Sequence, residues 1–166
     1  MERKLLAIVA ADMVGFSRLV ENDEISVLSR QKEYFTEIIK PQIEKFDGKI
    51  IKTTGDGFLA TFSSSLDAVE STTNIQKKIN LREKTQLNDK RIWFRIGINV
   101  GEVVLDDGDI FGNSVNIASR LESIADAGDV CITKDIFQNI KNLQSFDIRH
   151  LGCLLYTSDA ADDSQC

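Results

Sequence analysis

Lys52 and Asp56 stand four residues apart in IIKTTGDGFLATF, residues 50–62, on a turn that contains Gly55 and Gly57. Two apolar, β-prone runs flank the turn, so the segment reads as a hairpin. Gly-Asp-Gly is a common turn sequence, because aspartate bonds to its own backbone and glycine relaxes the sterics. The same tip could instead aim a carboxylate outward. A second aspartate, Asp12, closes the apolar run KLLAIVAA and precedes MVGFS. Taken alone, Asp12 is better read as a cap on the next helix. The sharper reading is that a carboxylate at a strand end beside a glycine turn holds Mg²⁺. The turn's N–H groups, from Val14, Gly15, Phe16 and Ser17, would then bind phosphate oxygens.

A third group lies further along. Asn116 and Arg120 occur in GNSVNIASRLE, four residues apart on a predicted helix, so both side chains share one face. Ile117, Leu121 and Ile124 are expected to form the opposite, buried face. Exposed Asn and Arg on a helix usually do nothing special, and Asp109 in the preceding loop is by itself only a loop aspartate.

The chain has 166 residues, 42% hydrophobic and 28% charged, which is enough for one domain with a sizeable core. Its net charge of −6, without any Lys/Arg block, argues against a groove that tracks nucleic-acid phosphates. An acidic chain still binds a nucleotide where metal ions supply the positive charge. No apolar stretch reaches the length of a membrane span, and MERKLLAIVAADMVGF is not a signal peptide. The three cysteines, Cys131, Cys153 and Cys166, show no paired metal spacing, which fits a reducing, cytoplasmic setting. With His150 as the single histidine, a zinc cluster is excluded and a histidine-based triad is disfavoured.

The elements that must position these residues follow from pattern. Residues 4–11 read as a strand buried on both faces, hence central. Leu28, Phe35, Ile38, Ile39, Ile43 and Phe46 keep helical spacing over 24–46, with a kink expected at Pro41 and a stop at Gly48. The hairpin 49–62 and a second amphipathic helix, 65–84, come next. Phe94, Ile96, Ile98 and Val100 alternate as a strand should, and Gly101 is expected to turn the chain into a further short strand, 102–105. A polar loop, a helix 113–125, a strand 129–132, a helix 134–141 and a strand 145–150 complete the series. The order is α+β, a ferredoxin-like βαββαβ core with additional C-terminal elements. In such a sheet the first strand runs beside the hairpin, so Asp12 and Asp56 converge. The final CLLYTSDAADDSQC ends in a small, acidic run that cannot bury itself, and 153–166 read as a non-native or disordered tail.

Taken in chain order, AADMVGFSRL, IKTTGDGFLATF, RIGINVGEVV and DIFGNSVNIASRLE closely resemble the catalytic domains of bacterial class III nucleotide cyclases, over residues 3–152. The resemblance implies that 1–152 form a cyclase domain, C-terminally truncated. It implies two Mg²⁺ or Mn²⁺ ions per site, held by Asp12, Asp56 and the Met13 backbone carbonyl. Lys52 and Asp109 match the pair that bonds the purine, Asn116 the residue that orients the ribose, and Arg120 the one that stabilises the transition state. Two domains pack head to tail in this family. Each site then takes its metal aspartates from one chain and the other four residues from the partner.

The activity so implied is that of an adenylate cyclase. The ribose 3′-hydroxyl of ATP attacks the α-phosphate, giving 3′,5′-cyclic AMP and pyrophosphate, and no histidine is required. Asp109 accepts from an exocyclic amine and Lys52 donates to a ring nitrogen, a combination that suits adenine. Guanylyl members typically place an acidic residue at the position of Lys52 and a cysteine or similar residue near Asp109. The family continues after His-Leu-Gly into a strand with a lysine that contacts the terminal phosphates, and CLLYTSDAADDSQC holds no lysine. The alternatives are a guanylate cyclase, or a catalytically impaired nucleotide-binding and dimerisation module.

Overall fold

The computed structural model describes residues 1–141. The strand expected at 145–150, His150, and the 153–166 tail with its two cysteines lie outside the described residues. Strand β1 (Glu2–Met13) is the spine of the sheet. Six of its residues in a row, Leu6 to Ala11, are buried, so both faces are covered as the apolar run requires. β1 pairs antiparallel with β3 (Gly57–Phe62) on one side and with β4 (Phe94–Asp106) on the other. β2 (Lys49–Thr53) lies outside β3, with β5 (Asp109–Phe111) beyond β4. The order β2-β3-β1-β4 is the ferredoxin-like arrangement expected from the sequence. β6 (Val130–Ile132) adds a parallel pairing to the first half of β4.

Side-chain alternation divides the core in two. Ala7, Val9, Ala11 and Met13 of β1 face the larger layer. This layer contains Leu19 and Val27 of helix α1 (Phe16–Tyr34), Ile43 of α2 (Lys40–Lys45), Ile75 and Ile79 of α3 (Ser65–Glu83), and Ile136 of α5 (Lys134–Ile140). Leu6, Ile8 and Ala10 face the other way, where Ala118 of α4 (Asn113–Ile124) meets them along with Leu59, Val103 and Ile110. Among the described residues, α4 is the one helix on that second face. Part of the face therefore stays open, and the carboxylates project there.

A buried carboxylate ties α1, α3 and the approach to β4 together. Glu83, 1% exposed, accepts from Arg30 Nη1 at 2.6 Å, from the Ile92 N–H at 2.6 Å and from the Tyr34 hydroxyl. Burial, then the neighbouring carboxylate, pushes the Tyr34 phenol well above its ordinary range. The charge is matched inside the core and every partner is a donor, the condition under which a buried ion is retained.

Four elements differ from the pattern reading. The first helix begins at Phe16, not 24. It breaks at Asp23, whose non-helical backbone and side-chain acceptance from the Ser26 N–H start a second half, and only that half had been visible as a helix. The kink expected at Pro41 is taken up just before it, by a π-helical turn over Phe35–Ile39. Gly101 does not turn the chain, and β4 runs through it to Asp106 with Gly101 opposite Leu6. The loop DDGDIFG is a hairpin: Asp107 and Gly108, both with positive φ, connect β4 to β5.

Candidate active site

Asp12 and Asp56 reach one place because β1 and β3 end together. Asp12 is opposite Gly57 in the ladder, and the Met13 N–H donates to the Asp56 carbonyl at 2.8 Å. The strands meet so closely that a Cβ on Gly57 would lie 1.8 Å from the Ala11 carbonyl oxygen, whereas one on Gly55 would touch nothing within 4 Å. The two glycines of the tip are therefore not equivalent: Gly57 permits the approach, and Gly55 is free of that demand. Gln31 of α1 steadies the tip from the other side, donating to the Gly55 carbonyl at 2.7 Å.

Asp12, Asp56 and Lys52 line a single cavity of about 330 Å³, floored by Ala10, Phe58, Leu59 and Val115 and closed by Glu122 of α4. Lys52, on β2, donates to Asp109 Oδ2, on β5, at 3.1 Å, across the open face. Asp109 also accepts from the Ile110 N–H at 2.7 Å. That bond first, and then the Lys52 ammonium, hold its carboxyl below the usual carboxylate range. The residues expected to read a base are thus already paired within one chain.

Asn116 and Arg120 both stand exposed on α4, opposite the buried Ile117 and Leu121. Neither lines the cavity, and among the described residues no ion pair holds Arg120. Ile124, expected on the buried face, is 45% exposed at the end of the helix. At the glycine turn, Gly15 adopts a left-handed conformation and precedes α1, whose start has no side-chain cap. The Val14 N–H donates to the Trp93 carbonyl at 2.8 Å and so is committed within the chain. The N–H groups of Phe16 and Ser17 belong to the first helical turn, which lacks intrahelical acceptors, and they remain candidates for an anion.

Two charged residues were not singled out in the sequence. Arg95, opposite Asp12 in the β1–β4 ladder, places its Nε 3.4 Å from Asp12 Oδ1 and its Nη2 3.4 Å from Oδ2. Glu122, 8% exposed, lies behind it, 3.7 Å from Arg95 Nη2. Burial first, then Asp12, pushes the Glu122 carboxyl up to about 8. Both residues leave a trace in the pattern: Arg95 shares its strand face with Gly97, and Glu122 is four residues after the buried Ala118, on the apolar stripe.

The donor set fits a hard cation. Two carboxylates border a polar cavity with neither histidine nor thiolate beside them, and Asp56 makes no ion pair among the described residues. No group of three acidic, histidine or cysteine side chains among the described residues could hold an ion by itself. That suits Mg²⁺, which is commonly bound by one or two carboxylates with substrate phosphates and water completing the octahedron.

Residues 2–155 match the family of the adenylate and guanylate cyclase catalytic domain. The chain belongs to that family. It is 36% identical over 150 residues to "Putative adenylate cyclase 3" of Rhizobium meliloti, an alignment that covers 90% of this chain and 26% of the relative. The cyclase domain thus spans about a quarter of that relative's length. Among solved structures, the adenylate/guanylate cyclase/hydrolase of Silicibacter pomeroyi superposes with a TM-score of 0.83 at 46% identity, covering 92% of this chain and 88% of that one. The adenylyl cyclase CyaB of P. aeruginosa superposes with a TM-score of 0.74 at 28% identity, covering 86% and 83%. No helix among the described residues is long and apolar enough to cross a membrane.

Proposed function

We propose that this cyclase domain converts ATP into 3′,5′-cyclic AMP and pyrophosphate, in sites shared between two copies packed head to tail. The observation that carries the choice of ATP is the Lys52–Asp109 pair, 3.1 Å apart at the cavity's edge. A lysine offers donors alone and an ionised aspartate acceptors alone, so together they match an amine beside a ring nitrogen. A guanine carbonyl in the same place would face a carboxylate. The low carboxyl range of Asp109 keeps it an acceptor at neutral pH.

In this reading Asp12, Asp56 and the Met13 carbonyl hold two Mg²⁺ or Mn²⁺ ions. When bound, such ions acidify an attacking hydroxyl and neutralise a leaving pyrophosphate. The chain's own residues supply the rest. The Phe16 and Ser17 N–H groups bind phosphate oxygens at the start of α1. Lys52 and Asp109 of the second copy fix the base, and its Asn116 orients the ribose. Its Arg120, free of an intrachain ion pair, meets the charge that develops on the α-phosphate as the 3′-oxygen attacks and the bond to pyrophosphate breaks. The exposure of Asn116 and Arg120 supports a role toward a partner. We further propose residues 1–152 as the extent of the domain.

The test is incubation of the chain with Mn²⁺ and either ATP or GTP, measuring pyrophosphate and cyclic nucleotide. Cyclic AMP with equimolar pyrophosphate is expected. Cyclic GMP as the main product would overturn the base assignment, and neither product from a folded dimer would favour the impaired module.

A further inference from the structure

Arg95 and Glu122 lie against Asp12 and have no part in the reading above. Their placement is built in. Arg95 and Gly97 follow one another on the α4 face of β4, and α4 rests directly on Gly97, where a Cβ would lie 2.4 Å from the Glu122 nitrogen. That contact sets Glu122 beside Arg95. The guanidinium then spans three acceptors: both Asp12 oxygens at 3.4 Å, the Ser123 carbonyl at 3.1 Å and, further off, Glu122 Oε2 at 3.7 Å. The Asp12 contacts are long for a charge-assisted pair, which normally closes to about 2.7–2.9 Å. Glu122 Oε2 is buried and lacks a hydrogen-bond partner. An orphaned acceptor of this kind is costly unless something reaches it.

We propose that Arg95 is a positioning residue with two stations. In the metal-free chain its fork holds the Asp12 carboxylate toward the cavity and offsets its charge. When a divalent cation takes Asp12, the guanidinium closes on Glu122 Oε2, and the Ser123 carbonyl acts as the pivot common to both states. Arginine suits this task because it remains charged in both states and presents several donors in one plane. The inference rests on the proposed role of Asp12 as a metal ligand.

The experiment titrates the protein with Mn²⁺ alone, without nucleotide, and reads free Mn²⁺ by electron paramagnetic resonance, with thermal melts to verify folding. Asp12→Asn should abolish the binding; if it does not, the metal reading itself fails. Arg95→Gln removes the competitor for Asp12 and should tighten Mn²⁺ binding about threefold to tenfold, the size of a partly exposed charge pair. Arg95→Lys keeps the charge but loses the fork, and should tighten binding nearly as much. Glu122→Gln removes the second station and should weaken binding in the presence of Arg95, yet change it less than about twofold in the Arg95→Gln background. If Asp12→Asn abolishes binding while Arg95→Lys binds as the unaltered chain does, Arg95 acts as charge alone and the two-station proposal falls. An equal effect of Glu122→Gln in both backgrounds would overturn it as well, because Glu122 would then act on the metal directly.

Discussion

The carboxylate end of the cavity and the Asn116–Arg120 face of α4 are built in different ways. Asp12 and Asp56 are fixed by main chain: they end adjacent strands, one joined to the other by the Met13–Asp56 backbone bond, with Gly57 packed against the Ala11 carbonyl. Arg95 and Gln31 hold this end from two further elements. Asn116 and Arg120 instead project from the solvent side of a helix whose opposite side does the packing. One half-site is complete within the chain, and the other is a surface with its functional groups turned outward. That contrast is what a composite site between two copies calls for.

The comparison breaks most sharply at the aspartates. Asp12→Ala or Asp56→Ala should lower cyclase activity by about 100-fold to 1000-fold, the scale of losing a preorganised charge partner in the transition state. Both variants should keep their circular dichroism, since neither carboxylate sits in the apolar core. Full activity in either would remove the two-metal reading.

Mixing tests whether the two half-sites belong to different chains. An inactive Asp12→Ala chain combined with an inactive Arg120→Ala chain should recover about a quarter of the unaltered activity, since half of randomly paired dimers are mixed and each keeps one intact site. No recovery, with mixed dimers shown to form, would place the whole site within a single chain.

A smaller effect separates the two tip glycines. Gly57→Ala should cost about 1–3 kcal/mol by forcing β1 and β3 apart, and Gly55→Ala less than about 0.5 kcal/mol. Urea unfolding of the two variants measures the difference. Equal costs would mean that the tip needs both glycines for backbone freedom and not Gly57 for close approach.

Much of the frame was legible in the sequence. KLLAIVAA announced a doubly buried central strand, and the hairpin and helices in order gave the ferredoxin-like sheet, which alone brings Asp12 beside Asp56. The start of α1 was hidden because Gly15 supplies no side-chain cap and Asp23 interrupts the helical backbone. The β4–β5 hairpin did leave a signal, Asp107-Gly108, which is a standard two-residue turn pair. Arg95 and Glu122 were missed for a different reason. Each looks like an ordinary charge on its own element, and their meeting at Asp12 depends on strand register and on α4 resting at Gly97.

The least drastic change concerns base choice, and it tests whether the Lys52–Asp109 pair is the part of the outward-facing half that reads the substrate. The pair is half-exposed, with side-chain exposures of 50% and 32%, so each bond it makes to a base is worth about 1 kcal/mol, not the larger figure of a buried site. Selectivity nevertheless accumulates, because the wrong base loses a bond and also meets a like partner, a carbonyl against a carboxylate. The unaltered chain should therefore prefer ATP over GTP in kcat/KM. The double change Lys52→Glu with Asp109→Cys should cut that ratio about tenfold. The cut should come mostly through lost ATP turnover, because the new residues remove contacts to adenine and nothing else around the cavity is reshaped for guanine. Measuring kcat/KM for both nucleotides on both proteins decides it. A preference for GTP in the unaltered chain would show that Lys52 and Asp109 do not read the base, while leaving the Asp12–Asp56 end as it stands.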